Sequence, residues 1–459
     1  MNKNQHVIGY LPDEKPVMWK LLLYAIQQVI VMFPATVAVA IITGFHISTT
    51  IFASGLATLC FILVTGKKIP LYYGSSFSYV AAIGSLMSSE ALIGHTLNER
   101  IAVAQFGIVM SGFVSIAAGL IIKRFGRDSI EKILPAAITG PIAMVIGLTL
   151  AGTALTDAQS FSGAIQVLDS QAALATNMAW IVSLVTLLST ILFSVHLKGF
   201  LGQLPLLLGP ILGCLTAVVI YWITGINLFK VLPDTANSGI FALPIFTLPK
   251  PSWMAVAAIM PIAIATIPES TAHVYQLDIY VNDLAKKKNS KKEYDIADRL
   301  GDNLVGDGIG DIVAGFIGGP AGTNYGENIS AMAITRVFSI PVLIAAAIIA
   351  MVISCFTPLI NAIYSIPTAV IGGLEVYLFG AIAAQGIAIM VEKKVDLFSS
   401  KNIAIIATIM IIGLGGQFAF GGNIPFFGLN IPCVAGASIF GILLHLLLSI
   451  GEKKNTASN

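Results

Sequence analysis

Two ionisable residues, Glu269 and His273, lie four positions apart in MAVAAIMPIAIATIPESTAHVYQL, which is apolar until Pro268. Residues with this spacing share one face of an α-helix, so the carboxylate and the imidazole are expected to lie side by side. If the stretch crosses a membrane, ionisable groups at that depth are costly and usually functional. We therefore predict that the pair binds a ligand and exchanges a proton. The alternative is that both residues lie near a membrane interface and have no such role.

A third candidate, Glu327, lies in GGPAGTNYGENISAMAITR at residues 318–336, a polar, glycine-rich segment between two hydrophobic runs. The glycines allow an extended backbone and the close approach of a ligand. The short helix expected from Asn328 would direct its first N–H groups at the place that the ligand approaches, and these groups need acceptor oxygens. Because the carboxylate of Glu327 accepts hydrogen bonds, the segment is complementary to a small planar molecule that carries both carbonyls and ring N–H groups.

The composition indicates what kind of protein positions these residues. Hydrophobic residues make up 56% of the chain and charged residues 10%, whereas globular domains have about 45–50% and about 25%. A helix of about 20 apolar residues crosses a bilayer, and we predict fourteen such segments, of which the third, ninth and tenth are short or interrupted. They lie at about 18–43, 48–66, 71–88, 101–122, 133–152, 177–197, 204–224, 253–272, 302–318, 320–335, 337–359, 367–391, 402–420 and 431–450. The predicted fold class is an all-α polytopic protein embedded in a lipid bilayer.

The basic residues support fourteen segments and predict their orientation. With a cytoplasmic N-terminus, all but Arg100, Lys230 and Lys250 of the 25 lysines and arginines fall on the cytoplasmic side, as the positive-inside rule expects. The N-terminal stretch MNKNQHVIGYLPDEKP lacks the apolar region of a cleavable signal peptide, so the first segment is expected to direct insertion. We expect a multi-pass protein of the cytoplasmic membrane with both termini in the cytoplasm.

Two pairs of similar stretches predict that the chain has two related halves. The third segment contains Tyr73-Gly74-Ser75-Ser76-Phe77, which aligns with Tyr325-Gly326-Glu327-Asn328-Ile329 in the tenth. ILPAAITGPIAMVIGL and SIPTAVIGGLEVYLFG share a Pro-x-Ala-x-x-Gly pattern in the fifth and twelfth. The members of each pair lie seven segments apart, which is an odd number, so the second half must enter the membrane in the opposite orientation. We predict a 7+7 inverted repeat, residues 1–225 and 226–459, whose two broken segments meet near the membrane centre.

With these motifs, the chain resembles the nucleobase-ascorbate transporters, and within them the bacterial uracil permeases. The resemblance covers nearly the whole chain, and its most specific motif is GGPAGTNYGENISAMAITRVFS. It implies short β-strands in segments 3 and 10, and a core domain of segments 1–4 and 8–11 that moves against a gate domain of segments 5–7 and 12–14. The implied activity is proton-coupled uptake of uracil by alternating access. The proton is the coupling ion, no cofactor is expected, and a homodimer through the gate domain is possible.

The resemblance also implies the roles of individual residues. Glu269 and Glu327 correspond to substrate-binding glutamates, and His273 to a histidine that is linked to substrate binding and proton coupling. Phe77 and Gly326 match positions whose backbone amides reach the carbonyls of the base. The implied substrate-binding set is Glu269, Glu327, Phe77, Gly326, Tyr325 and Ser76, and the implied proton-coupling set is His273 and Glu269.

The chain departs from the family pattern in its first and eighth segments. Gln28 and Pro34 stand where the family usually has histidine and glycine, and PESTAH at residues 268–273 replaces the usual Ala-Glu-His-x-Gly-His. Pro268 is expected to kink its helix. Xanthine and urate members typically carry Gln-Asn where this chain has Glu327-Asn328, so a pyrimidine is favoured and a purine permease of the same family is the alternative.

Other functions are disfavoured by the residues themselves. A membrane-embedded metalloenzyme needs three or more converging ligands, and the chain has no such cluster and no nucleophile motif, so neither catalytic nor metal residues are predicted. A channel is disfavoured because two carboxylates at a dead end suit a binding site better than a continuous pore. A carrier for small anions would need cations, and no nucleic-acid partner is expected. The four cysteines are isolated in apolar segments and are interpreted as packing residues.

Four further acidic residues leave two interpretations open. Asp302, Asp307 and Asp311 recur along the ninth segment and could line a path for protons or water, or could cap and hydrogen-bond the backbone of a tightly packed helix. Glu375 could contact another part of the gate domain or lie half-buried near the interface.

Overall fold

Helices form most of the structure, because a backbone within a bilayer must satisfy its own hydrogen bonds. The computed structural model describes residues 9–126, 132, 134–166, 171–233, 239–427 and 429–450. Its α-helices are α1 (Met18–Thr43), α2 (Ile47–Val64), α3 (Val80–Met87), α4 (Leu97–Phe125), α5 (Ala136–Thr149), α6 (Ala151–Ala158), α7 (Ala172–His196), α8 (Pro205–Thr224), α9 (Trp253–Ile259), α10 (Ala263–Lys287), α11 (Leu300–Ile317), α12 (Gly326–Thr335), α13 (Ile340–Ile353), α14 (Thr357–Tyr364), α15 (Thr368–Glu392), α16 (Ser400–Phe420) and α17 (Cys433–Ser449).

The lengths of these helices fit a multi-pass membrane protein. Within the described residues, nine helical stretches are long and apolar enough to cross a membrane, and three shorter apolar helices accompany them. The mostly helical, polytopic fold class is therefore confirmed. The two chain ends, residues 1–8 and 451–459, lie outside the described residues, as does residue 133, at which the fifth segment was predicted to begin.

The eighth segment extends further than hydropathy predicts. It was expected to end near residue 272, but α10 continues to Lys287. The additional turns are amphipathic, with Val274, Leu277, Val281 and Leu284 buried against the protein interior, so a polar outer face hides them from a hydropathy window. Pro268 lies within α10. The interruption of this segment falls earlier, at the 3-10 turn Met260–Ile262.

Among the described residues, six short strands pair two by two, and two of these pairs join residues 1–225 to residues 226–459. They are β1 (Tyr73–Ser75), β2 (Ala164–Gln166), β3 (Asn227–Lys230), β4 (Gly322–Asn324), β5 (Asn423–Phe426) and β6 (Leu429–Pro432). Strand β1 pairs antiparallel with β4, β2 with β3, and β5 with β6. Strand β1 continues into a 3-10 turn, Phe77–Tyr79, and α3, while β4 continues through Tyr325 into α12.

The register of β1 and β4 corrects the alignment of the two broken segments. Tyr73 lies opposite Asn324, and Ser75 lies opposite Gly322. In both segments a three-residue strand is followed by one linking residue and then a helical turn, so Tyr73 corresponds in position to Gly322 and Phe77 to Gly326. The alignment of Tyr73 with Tyr325, made from the repeated Tyr-Gly, is wrong by three residues, because the first Tyr-Gly lies within a strand and the second at the start of a helix.

Helices of residues 1–225 pack in a reciprocal pattern with helices of residues 226–459. Helix α2 packs on α13 and α4 packs on α11, while α1 packs on α13 and α9 packs on α4. Glycines allow the close contacts, since a Cβ on Gly308 of α11 would overlap the carbonyl oxygen of Gly112 on α4. A second group of packed pairs contains α5 with α15, α7 with α8, α16 with α17, α7 with α15 and α5 with α16.

Candidate functional site

A cavity of about 300 Å³ lies where the ends of β1 and β4 face helices α5, α10 and α15. It is lined by all seven residues that the sequence singles out for binding and proton coupling. They are Ser76, Phe77, Glu269, His273, Tyr325, Gly326 and Glu327. The two broken segments and α10 thus bring these residues together from three distant parts of the chain.

The helical turns that follow the paired strands β1 and β4 both begin at this cavity. Phe77 begins the 3-10 turn after β1, and the Ser76 side chain accepts a hydrogen bond from the N–H of Ser78 at 3.2 Å. Gly326 is the first residue of α12, which has no side-chain cap. The N–H of Ile329 donates to the carbonyl of Tyr325 at 3.2 Å. The amide of Gly326 therefore belongs to the first turn, where N–H groups lack intrahelical acceptors.

Glu269 and His273 project from the same face of α10, as their spacing predicts. Oε2 of Glu269 accepts from the hydroxyl of Ser78 at 3.3 Å. The imidazole of His273 hydrogen-bonds to the backbone of Asn324, and its Nδ1 has no partner among the described residues. A Cβ on Gly326 would lie 2.8 Å from Nε2 of His273. Glycine at this position therefore lets the histidine reach the end of β4.

Tyr325 supports the crossing of the strands more than it faces a ligand. Its hydroxyl lies 2.9 Å from Oγ1 of Thr36 and donates to the carbonyl of Ser75 at 3.0 Å. Its ring covers Gly74, where a Cβ would overlap the aromatic atoms. The hydroxyl is thus occupied by protein partners, and the residue holds the end of β4 against β1.

A network of buried polar side chains lies behind the cavity, next to Glu269 in the chain. The hydroxyl of Ser270 donates to Asp307 and accepts from Nδ2 of Asn303 at 2.7 Å and from Nδ2 of Asn324 at 3.2 Å. Nδ2 of Asn324 also donates to Oδ1 of Asn303 at 3.0 Å. The network ties α10, α11 and β4 together. The sequence pattern indicated Asp307 but missed the serine and the two asparagines.

The two other aspartates of α11 have structural partners. Asp311 accepts from the hydroxyl of Tyr73 at 2.5 Å and from the N–H of Gly322 at 2.8 Å, so it fastens both strands to α11. Asp302 forms an ion pair with Lys123 at 2.6 Å. These contacts agree with the interpretation that aspartates hydrogen-bond the backbone and fix the packing of this helix.

Gln28, one of the departures in the first segment, is buried and has a defined partner. Nδ2 of Asn328 donates to Oε1 of Gln28 at 2.8 Å and to its backbone carbonyl at 3.0 Å. The glutamine therefore anchors the first turn of α12 to α1, directly beside Glu327. An amide fills the position with an acceptor oxygen that Asn328 requires.

Comparison with known proteins identifies the family. A family model described as "Permease family" matches residues 19–422. The chain belongs to this permease family. The resemblance to the nucleobase-ascorbate transporters is thereby confirmed, and the permease is a multi-pass transporter rather than an enzyme.

Curated relatives match the permease over nearly its full length. It is 33% identical to the uracil permease of Bacillus caldolyticus, over 95% of this chain and 94% of that protein. It is 32% identical to the uracil permease of Bacillus subtilis (strain 168), over 98% and 96%. It is 31% identical to the putative pyrimidine permease RutG of Escherichia coli (strain K12), over 95% and 91%.

Solved structures share the fold of the permease at low sequence identity. The transmembrane domain of the cyanobacterium bicarbonate transporter BicA matches with a TM-score of 0.57 and 15% identity, over 96% of this chain and 100% of that chain. The murine Solute Carrier 26 family member A9 anion transporter, in its inward-facing state, matches with a TM-score of 0.65 and 12% identity, over 96% and 69%. These likenesses concern the fold alone.

The opposite wall of the cavity comes from α5 and α15 of the permease. It consists of Ala143, Ile146, Leu378, Ala381, Ile382, Gln385 and Ile389. Gln385 is the polar member of this wall, and the sequence reasoning missed it, because a single amide in an apolar helix carries no motif. Ile389 also borders a wider cavity of about 740 Å³, which extends along α10 to Lys393 and Lys394.

Glu375 lies apart from the candidate site. It is fully buried on α15, and neither carboxylate oxygen has a partner among the described residues. One turn earlier on the same helix, Gly372 approaches the backbone of Asp157 and Ala158 so closely that a Cβ would overlap it. Of the two interpretations of Glu375, half-burial is excluded, because the side chain is fully buried.

Proposed function

We propose that the permease takes up uracil together with a proton by alternating access. The observation that carries this proposal is the convergence of Glu269 and Glu327 on one cavity with the chain turns at Phe77 and Gly326. Uracil has ring N–H groups and carbonyls on adjacent positions of one planar ring. Carboxylates accept from the former and backbone amides donate to the latter, so the polar groups of the cavity and of the base are complementary.

The choice of uracil over a purine rests on chemistry and on relatives. Two glutamates offer only acceptors when ionised, which suits the N–H groups of a pyrimidine dione. The curated relatives described above are named as uracil and pyrimidine permeases. A purine permease remains the alternative, and a comparison of ligands distinguishes the two.

A proton is needed for the charge balance of the cavity. Among the described residues, the cavity is lined by two glutamates and one histidine and by no lysine or arginine. Two carboxylates that share one buried site disfavour each other's ionised forms, and uracil brings no cation. Binding of a neutral base is therefore favoured when the site takes up a proton, with Glu269 and His273 as its carriers. One proton moved inward is worth about 2.3 kcal/mol per 100 mV, which corresponds to about fiftyfold accumulation.

The movement is proposed to occur between a core domain and a gate domain. The reciprocal packing of α2 on α13 and α4 on α11 is what two inverted halves, residues 1–225 and 226–459, would produce. We assign the nine long apolar stretches, the three shorter ones, α11, and β4 with α12 to the fourteen predicted segments. Helices α5, α7, α8 and α15–α17 would form the gate, through which a homodimer is also proposed.

The described conformation is proposed to face the cytoplasm. The wider cavity that meets the candidate site at Ile389 is lined by Lys393 and Lys394, and basic residues favour the cytoplasmic side. This orientation gives a cytoplasmic N-terminus and C-terminus in the cell membrane.

Uptake of labelled uracil into reconstituted vesicles tests the proposal. Glu269→Gln and Glu327→Gln are expected to reduce uptake at least tenfold while the proteins stay monodisperse, because each loses a charge-assisted hydrogen bond worth about 1.5–3 kcal/mol. Glu90→Gln, a change at an exposed glutamate, is the matched control and should transport as the wild type does. Wild-type uptake that ignores an imposed pH gradient would refute proton coupling.

A further inference from the structure

The two walls of the candidate site differ sharply in polarity. The wall formed by α10 and the two broken segments carries Ser76, Ser78, Glu269, His273 and Glu327. The wall formed by α5 and α15 is apolar apart from Gln385. A base bound through its hydrogen-bonding edge to the first wall turns its other polar atoms towards the second.

Gln385 occupies the centre of the apolar wall. It lies one turn after Ala381 and one turn before Ile389 on the cavity face of α15, consistent with helical spacing. Its side chain is exposed to the cavity and makes no hydrogen bond to the described residues. Because Ile389 borders the wider cavity as well, Gln385 lies one helical turn from the junction of the two cavities.

We propose that Gln385 is the gate-side contact of the substrate and makes closure of the site depend on occupancy. The inference rests on the proposed function. Closure of an apolar wall onto a bound base would bury a carbonyl or N–H group without a partner, which is unfavourable. An amide both donates and accepts, so Gln385 can satisfy either group when the wall approaches.

This contact gives the substrate a different affinity for the closed and the open state. A ligand shifts a conformational equilibrium only by such a difference. The groups on the first wall touch the base in both states, whereas Gln385 adds its hydrogen bond on closure. Gln385 is therefore a positioning and gating residue, and its loss should slow the transport cycle more than it weakens binding.

Gln385→Leu, which keeps similar size and removes the amide, tests this proposal in vesicles and in solution. The maximal uptake rate of uracil is expected to fall about 2- to 13-fold, the effect of one neutral hydrogen bond, while the dissociation constant of the purified protein, measured by titration calorimetry, changes less than twofold. Gln385→Asn should recover part of the rate. Gln159→Leu makes the same chemical change at an exposed glutamine that lines neither cavity and should leave both quantities unchanged.

Two results would overturn the inference. In one, Gln385→Leu transports like the wild type; in the other, rate and affinity fall by the same factor. Either result leaves the proposed function intact, provided that the wild-type protein binds and transports uracil. A wild-type protein that binds no uracil would overturn the proposed function, and the inference with it.

Discussion

The fit of Gly326 against His273 can be tested by adding a single methyl group. A Cβ on Gly326 would lie 2.8 Å from Nε2 of the imidazole, whereas non-bonded contacts are optimal at about 3.5–4.0 Å. Gly326→Ala must therefore displace either the histidine or the start of α12. Overpacking of this kind costs about 1–3 kcal/mol, and we expect the unfolding temperature of the substrate-free protein to fall by a few degrees.

Removal of the imidazole should abolish this cost. In the His273→Ala background the clash no longer exists, and alanine is the better helix former by about 1 kcal/mol. Gly326→Ala should there be neutral or stabilising. The assay is thermal unfolding of the four proteins in one detergent, read as a double-mutant cycle. Equal losses of unfolding temperature in both backgrounds would refute the proposed proximity of the two residues.

Two further predictions concern the packing of the helices and the N-terminal segment. Gly308→Ala should destabilise the protein by about 1–3 kcal/mol, because the new Cβ would overlap the backbone of Gly112. Gly84 has open space around it, so Gly84→Ala should cause no such loss. Equal unfolding temperatures for the two variants would contradict this prediction. Burial alone would raise the pKa of Asp13, but hydrogen bonds from Lys292 and Tyr294 lower it below the ordinary value of 3.8, so the carboxylate stabilises the fold above pH 3.8 and loses that effect as the pH falls further. Asp13→Asn should thus lower the free energy of unfolding at pH 7 by about 0.2–1 kcal/mol, as for an exposed pair, and by less at pH 3. A loss of the same size at pH 3 would contradict this.

The elements with strong local signals were predictable from the sequence. Long apolar runs predicted the membrane helices to within a few residues in most cases, because hydropathy reports burial in lipid directly. The spacing of Glu269 and His273 predicted that they share a helix face. The glycines around Glu327 predicted a broken segment, and β4 followed by α12 is found there.

The remaining features depend on contacts between distant parts of the chain. The pairing register of β1 and β4 is set by the packing of α11 and by Asp311, which no local pattern reports. The polar face of α10 beyond residue 272 concealed a buried stripe from a hydropathy measure. Gln385 and Asn324 belong to no sequence motif. Which of the many amide side chains faces the cavity depends on how the helices and strands pack together in the fold.

A ligand screen on the purified wild-type protein tests whether the cavity binds uracil through its two glutamates. Thermal unfolding is measured with uracil, thymine, xanthine, hypoxanthine and urate at equal concentrations, because a ligand that binds the folded state raises its stability. We predict that uracil gives the largest increase in unfolding temperature, and that the increase is lost in Glu269→Gln and in Glu327→Gln. Stabilisation by a purine without stabilisation by uracil would show that uracil is not the substrate, and an undiminished uracil effect in both variants would show that the two glutamates do not bind it.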